Sequence, residues 1–145
     1  MREVLFRGKA KVKYKWIAEG EWIEGSLLCS NNENEIVCQI VTSYLQSNKD
    51  GSVMVVAYEV DPETVCQYTG LIDKNGRKIF EGDICDRKER FPEIVTYHNG
   101  AWTLDYSFAS GKESGSDYCS LGFYAVEGNI EVIGNIFDGG SSVAT

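Results

Sequence analysis

Residues 60–86 read V-D-P-E-T-V-C-Q-Y-T-G-L-I-D-K-N-G-R-K-I-F-E-G-D-I-C-D, and this stretch decides the fold. Four turn signals fall within it: Asp61-Pro62, Gly70, Asn75-Gly76 and Gly82-Asp83. Short apolar patches alternate with them, so the chain must reverse several times around a hydrophobic centre. Asp61, Pro62 and Glu63 spell a helix start, with an acceptor at the N-cap, a fixed φ at the first helical position and a negative charge at the positive end of the dipole. The expected helix is brief, near 62–68, with Val65 and Tyr68 sharing its inward face and Gly70 ending it in the left-handed conformation. Asn75-Gly76 predicts a tight reversal at positive φ. Leu71 and Ile72 before it, and Ile79 and Phe80 after it, supply the apolar flanks.

The carboxylates of the stretch invite a metal reading. Asp73, Asn75 and Gly76 resemble the opening of a calcium loop, which needs oxygen ligands at its first, third and fifth positions, Gly at the sixth and Glu at the twelfth. Counted from Asp73, Gly76 is fourth and Arg77 is fifth, so turn chemistry is the better account. Glu81, Asp83 and Asp86 are acidic and close together, but no second ligand group follows at a defined spacing, and a solvated loop is preferred to a cation site.

The same residues carry a family resemblance. The run from Val60 through Ile84 resembles the central signature of the YopX family of phage and prophage proteins. The opening M-R-E-V-L-F-R-G-K resembles that family's start, and E-V-I-G-N-I-F-D at 131–138 resembles its end. The three motifs fall in the expected order over most of the chain. Two departures are Cys66, where a small residue such as Gly is expected, and a lysine-rich segment after Gly8. The resemblance implies an SH3-like small β-barrel in the C-terminal part and a phage or prophage origin. It implies no activity, so no catalytic residue is carried over.

A length of 145 residues suits one compact domain over 1–138, with an N-terminal β region (1–60) packed on a barrel core (61–138) and a flexible tail at 139–145. No apolar run approaches the ~20 residues that span a bilayer. The first residues lack the long apolar region of a secretory signal, so the expected location is the host cytoplasm. Five cysteines, Cys29, Cys38, Cys66, Cys85 and Cys119, give an odd count without a C-x-x-C pair. Neither a disulfide framework nor a zinc knuckle is expected from that spacing, and buried free thiols are. His98 is the only histidine and stands beside the Asn99-Gly100 turn, which suits a surface position.

Working outward, K-A-K-V-K-Y-K-W at 9–16 alternates strictly with period two. The reading is a half-buried strand, with Lys9, Lys11, Lys13 and Lys15 on its outer face, that forms a hairpin with 21–28. The net charge is −8, yet residues 1–15 carry six positive charges against one negative, a net of +5. Lysine rows protect exposed sheet edges and also track phosphate backbones. Glutamates at 19, 21 and 24 on the facing strand favour edge protection. Residues 31–35 read as a polar turn, 36–41 as a strand or a short buried helix, and 43–52 as a loop. Residues 53–60, V-M-V-V-A-Y-E-V, are nearly all apolar, the mark of a strand covered on both faces or at a subunit contact.

Beyond the central stretch, strands are expected at 84–87 and 93–97, with Asn99-Gly100 as a second hairpin signal. The following strand alternates Trp102, Leu104, Tyr106 and Phe108 as core residues. Residues 109–117 read as a loop, 118–127 as strand or irregular structure, and 130–137 as a closing strand with Val132, Gly134 and Ile136 on one side. The fold class is therefore mainly β with one short helix.

Three functional classes follow. The preferred one is a non-enzymatic β module that self-associates or binds a host or phage protein, since no catalytic set converges and no cofactor motif is present. The second is a small nucleic-acid-binding barrel that uses the N-terminal lysines. The third is a metal-dependent enzyme at Asp73, Glu81, Asp83 and Asp86.

Overall fold

A computed structural model describes residues 3–88, 91–105 and 118–138. Tyr106 and Phe108, the 109–117 loop and the 139–145 tail lie outside the described residues. Among the described residues the chain is mainly β, with two antiparallel sheets and one short α-helix. It divides into two compact units, Met1–Gln67 and Tyr68–Thr145, described in turn.

In the first unit, β1 (Phe6–Lys9), β2 (Trp22–Asn31), β3 (Ile36–Gln46) and β4 (Val53–Val60) lie in the order β4-β3-β2-β1. The β2–β3 hairpin turns at 32–35, where Asn32 N–H donates to Glu35 O at 2.9 Å. Ala10, Ile23, Cys38, Ile40 and Val60 form the core. Close packing against Gly8 and Gly25 keeps these strands together. A Cβ on Gly8 would stand 2.9 Å from Val60, and one on Gly25 would strike the Val41 carbonyl. Lys9 O accepts from Asp61 N–H, and Lys11 N–H donates to Glu59 O, so residues 9–11 cover the far end of β4 through a single Ala10–Val60 bridge.

The long lysine strand is not formed. β1 stops at Lys9, and residues 11–17 bend away, with Tyr14 and Ile17 exchanging backbone hydrogen bonds around a tight turn. The alternation is lost because Tyr14 turns to pack on the end of β4. It meets Tyr58 edge-on at 4.9 Å between ring centroids, and its hydroxyl accepts the Glu59 N–H at 2.8 Å. Trp16, expected inside, is left exposed. The 43–52 loop is also shorter than expected, because residues 43–46 continue β3 opposite 53–56.

Asp61 caps a helix as expected, its carboxylate accepting from Glu63 N–H at 3.1 Å. That helix is only a 3₁₀ turn, Pro62–Thr64, not a helix to Tyr68. Val65 is already extended at φ −67°, ψ 122°, and Cys66 begins β5 (Cys66–Ile72). Cys66 and Gln67 pair with β1, which takes the backbone out of the helix four residues early.

In the second unit, the rest of β5 pairs with β6 (Lys78–Phe80), and a five-stranded sheet runs β10-β9-β8-β7-β11. Its strands are β7 (Asp83–Asp86), β8 (Glu93–His98), β9 (Ala101–Asp105), β10 (Tyr118–Ser120) and β11 (Glu131–Asn135). Among the described residues the sheet ends at β10 and β11, and no ladder closes it into the expected SH3-like barrel. Gly70 takes φ +85° as expected, but inside a strand, where the β5–β6 register shifts between Tyr68 and Ile72. The bulge does the work assigned to a helix end. Asn99 at φ 50° and Gly100 at φ 81° make the two-residue hairpin loop between β8 and β9. Across that hairpin Tyr97 and Trp102 meet edge-on at 5.0 Å, and the hydroxyls of Thr96 and Thr103 lie 2.9 Å apart.

Ser120 caps α1 (Leu121–Val126), a helix the sequence reading missed. Leu121 enters the core beside Ile79, Cys85, Val95, Leu104, Ile130 and Val132. Burying a side chain such as Leu104 contributes about 1.5–3 kcal/mol each. In β11 a register shift between Val132 and Gly134 breaks the expected alternation, so Val132 is buried and Ile136 is exposed.

Candidate functional site

The predicted lysines scatter along the N-terminal bend. Lys9 stands at the end of β1 with its ammonium 5.3 Å from the Trp22 ring, a ring that Arg7 also approaches at 4.5 Å. Lys11 pairs with Glu59 at 3.1 Å, and hydrogen bonding to that carboxylate holds its pKa above the ordinary lysine value. Lys15 lies 5.3 Å from the Trp16 ring, and Lys13 is exposed in the bend. The continuous row of four on one strand is therefore absent.

The acidic residues are bound into the backbone. Burial alone would raise the Asp73 pKa, but N–H groups of Val132, Arg77 and Asn75 outweigh it and hold the carboxyl below its ordinary value. Asn75 and Gly76 complete the turn that Asp73 organises. Gly76 takes φ +82°, and Asp73 N–H closes the three-residue loop on Arg77 O at 2.8 Å. Asn75, expected at positive φ, is not among the positive-φ residues. Asp83 is buried and accepts from Phe80 N–H at 2.8 Å and from Asn135 Nδ2 at 3.1 Å, while Gly82 O accepts Ile136 N–H. Asp86 accepts from Lys88 N–H, and Glu81 is half-buried. Among the described residues no group of three or more His, Cys, Asp or Glu could hold a metal ion.

A buried charge pair was not foreseen. Arg87 Nε donates to Glu93 Oε1 across the β7–β8 connection, and Glu93 is 2% exposed. The guanidinium lies 4.2 Å from the Tyr124 ring and 3.5 Å from Cys119 Sγ. Burial disfavours its charge, but the Glu93 carboxylate more than offsets this and holds its pKa up. Burial, with Asp83, Asp73 and Glu93 near it, raises the Cys85 thiol well above the usual range, so this sulfur is an inert core atom.

Cys29 and Cys38, expected as free thiols, are disulfide-bonded, while Cys66, Cys85 and Cys119 form no disulfide. They lie directly opposite one another in the β2–β3 register, with Cα atoms 4.2 Å apart, the short spacing of a non-hydrogen-bonded pair. The signal was in the sequence: the two are equidistant from the polar turn at 32–35, and a hairpin about that turn must oppose them.

The surface that stands out is the outer half of the β3–β4 hairpin. β2 pairs with β3 only as far as Val41, whereas β3 and β4 continue through Ser43↔Val56, Tyr44↔Val55, Leu45↔Met54 and Gln46↔Val53. Residues 43–46 and 53–56 are thus a two-stranded ribbon, exposed on both faces. Leu45 is 68% exposed, Met54 66% and Tyr44 59%. A register shift between Val41 and Ser43 marks its base, where Thr42 Oγ1 donates to Val56 O at 3.4 Å. The tip is closed by Ser47 N–H donating to Ser52 O at 2.7 Å. Leu45, Gln46, Ser47, Ser52, Val53 and Met54 line an open recess there. β4 is also the end strand of its sheet. Glu59 turns its N–H and C=O outward to Tyr14 and Lys11, and antiparallel alternation turns those of Ala57, Val55 and Val53 the same way.

The whole chain is similar to the crystal structure of protein EF1440 from Enterococcus faecalis, at 22% identity and a TM-score of 0.57, covering 99% of each chain. That likeness is one of fold. No curated protein matches the chain. The family model described as YopX protein matches residues 6–141, so the chain belongs to the YopX family.

Proposed function

We propose that this protein is a non-enzymatic assembly module that self-associates through the β3–β4 ribbon, with a second copy of the chain as the occupant of the β4 edge. The observation that carries the reading is the ribbon itself. Two strands extend beyond the rest of their sheet, with apolar side chains uncovered on both faces. An isolated two-stranded ribbon is marginal in water, and an apolar open edge seeks another strand.

Charge favours a like partner. The chain carries −8, yet residues 43–46 and 53–58 carry no charged side chain, so copies meet here with least repulsion. Antiparallel pairing of β4 with its own copy satisfies both edges in one two-fold contact. The phage or prophage setting, implied by the family resemblance, and the host cytoplasm, expected from the sequence, belong to the same proposal.

Light scattering of the full chain tests it. The expected mass at micromolar concentration is a multiple of 16.2 kDa, falling to 16.2 kDa in the double variant Leu45→Lys, Met54→Lys. Both side chains are exposed, so the substitutions spare the core. A wild-type mass of 16.2 kDa, or an unchanged multiple in the variant, overturns the reading.

A further inference from the structure

The two sulfurs of the cross-strand bond are placed unequally. Cys29 is exposed, whereas Cys38 is 4% exposed and packs among Ile23, Ile40 and Val60. The bond is not needed to set the register. Five other residue pairs between Ser26↔Val41 and Asn31↔Ile36, with the Asn32–Glu35 turn, already fix the hairpin. Oxidised and reduced chains can therefore share one backbone.

We propose that Cys29 and Cys38 form a reversible redox pair, in which Cys29 exchanges with low-molecular-weight thiols and Cys38 resolves the mixed disulfide. An incoming thiolate attacks Cys29 Sγ, the accessible end of the bond. The S–S bond breaks, its electron pair leaves on Cys38 Sγ, and that sulfur takes a proton from solvent. A second small thiol then attacks the mixed disulfide. It releases the small disulfide and leaves Cys29 reduced, so two electrons pass from two thiols to the protein. Oxidation by a small disulfide runs the same steps backwards. With the two Cα atoms 4.2 Å apart, Cys38 stands beside any adduct on Cys29 and expels it by intramolecular attack. The adduct is thus short-lived in the wild type and accumulates only when Cys38 is removed.

The test incubates the folded full chain with reduced and oxidised glutathione in varied ratio, followed by acid quenching, mass spectrometry and peptide mapping. Mapping separates Cys29 from the half-buried Cys119. The wild type should pass between dithiol and disulfide in a single two-electron transition with an unchanged β-sheet spectrum. Cys38→Ser should collect one glutathione on Cys29, at least about tenfold faster than Cys29→Ser collects it on Cys38. The proposal is overturned if the bond resists reduction until denaturant is added, which makes it a fixed staple. It is equally overturned if no Cys29–Cys38 bond forms, or if the two variants react alike. None of these readouts depends on the oligomeric state, so the ribbon proposal stands or falls separately.

Discussion

Asp73 in the β5–β6 turn and Val132 in β11 are joined by a hydrogen bond of 3.0 Å, although 59 residues separate them. One carboxylate oxygen takes the Val132 N–H, and the other takes Asn75 N–H and Arg77 N–H. A single side chain therefore shapes a local turn and anchors a distant strand. Asp73→Ala leaves buried donors unmet and should destabilise by about 2–4 kcal/mol, read from urea midpoints.

The same carboxylate gives a pH dependence with a definite sign. Its folded pKa lies below the ordinary value, so the unfolded chain takes up the proton first as the solution is acidified. Its contribution is complete above the ordinary aspartate pKa of about 3.9 and drains as pH falls through the lower folded value. The melting temperature should drop below about pH 4, and the drop should be smaller in Asp73→Asn, which has no proton to take up. Equal acid sensitivity in both proteins would remove Asp73 from this role.

Gly76 separates backbone strain from crowding. Its φ is +82°, and a Cβ there would meet nothing within 4 Å. Gly76→Val should therefore cost about 1–2 kcal/mol from conformation alone. Gly25→Ala, whose added carbon strikes the Val41 carbonyl, should cost more although its φ is not in the left-handed region. Thermal melts of the two variants check the order.

Arg87 and Glu93 should behave as a unit. Removing one partner leaves a charge in a largely dry site, and Arg87→Met should cost about 3–5 kcal/mol. The double variant Arg87→Met, Glu93→Met should cost less than the sum of the singles. Strict additivity in that double-mutant cycle would show that the pair is not coupled.

The turns were legible because their chemistry is local. Asp61-Pro62 starts a helix, and Asn99-Gly100 and Gly76 take the left-handed conformations that the sequence predicts. The misread elements were those settled by distant partners. Period-two alternation at 9–16 implied a strand, but packing of Tyr14 on Tyr58 bends the chain. Gly70 looked like a helix end, yet pairing of Cys66 with β1 had already restored a strand. The apolar 53–60 run is a strand as expected, but the coverage on both faces expected as one alternative fails, since residues 53–56 are exposed. That its outer half is uncovered follows only from how far β2 reaches along β3, a length no local pattern encodes. The Arg87–Glu93 pair likewise depends on strand register rather than on a motif.

The central claim is that a second copy of the chain pairs with the outer edge of β4. Amide hydrogen exchange, resolved to single residues and compared at low and high protein concentration, tests it most directly. The Val53, Val55 and Ala57 amides, which face away from β3, should exchange rapidly when dilute and become protected together as concentration rises. If those three amides stay fast while the mass by light scattering increases, the copies meet elsewhere and the claim is contradicted.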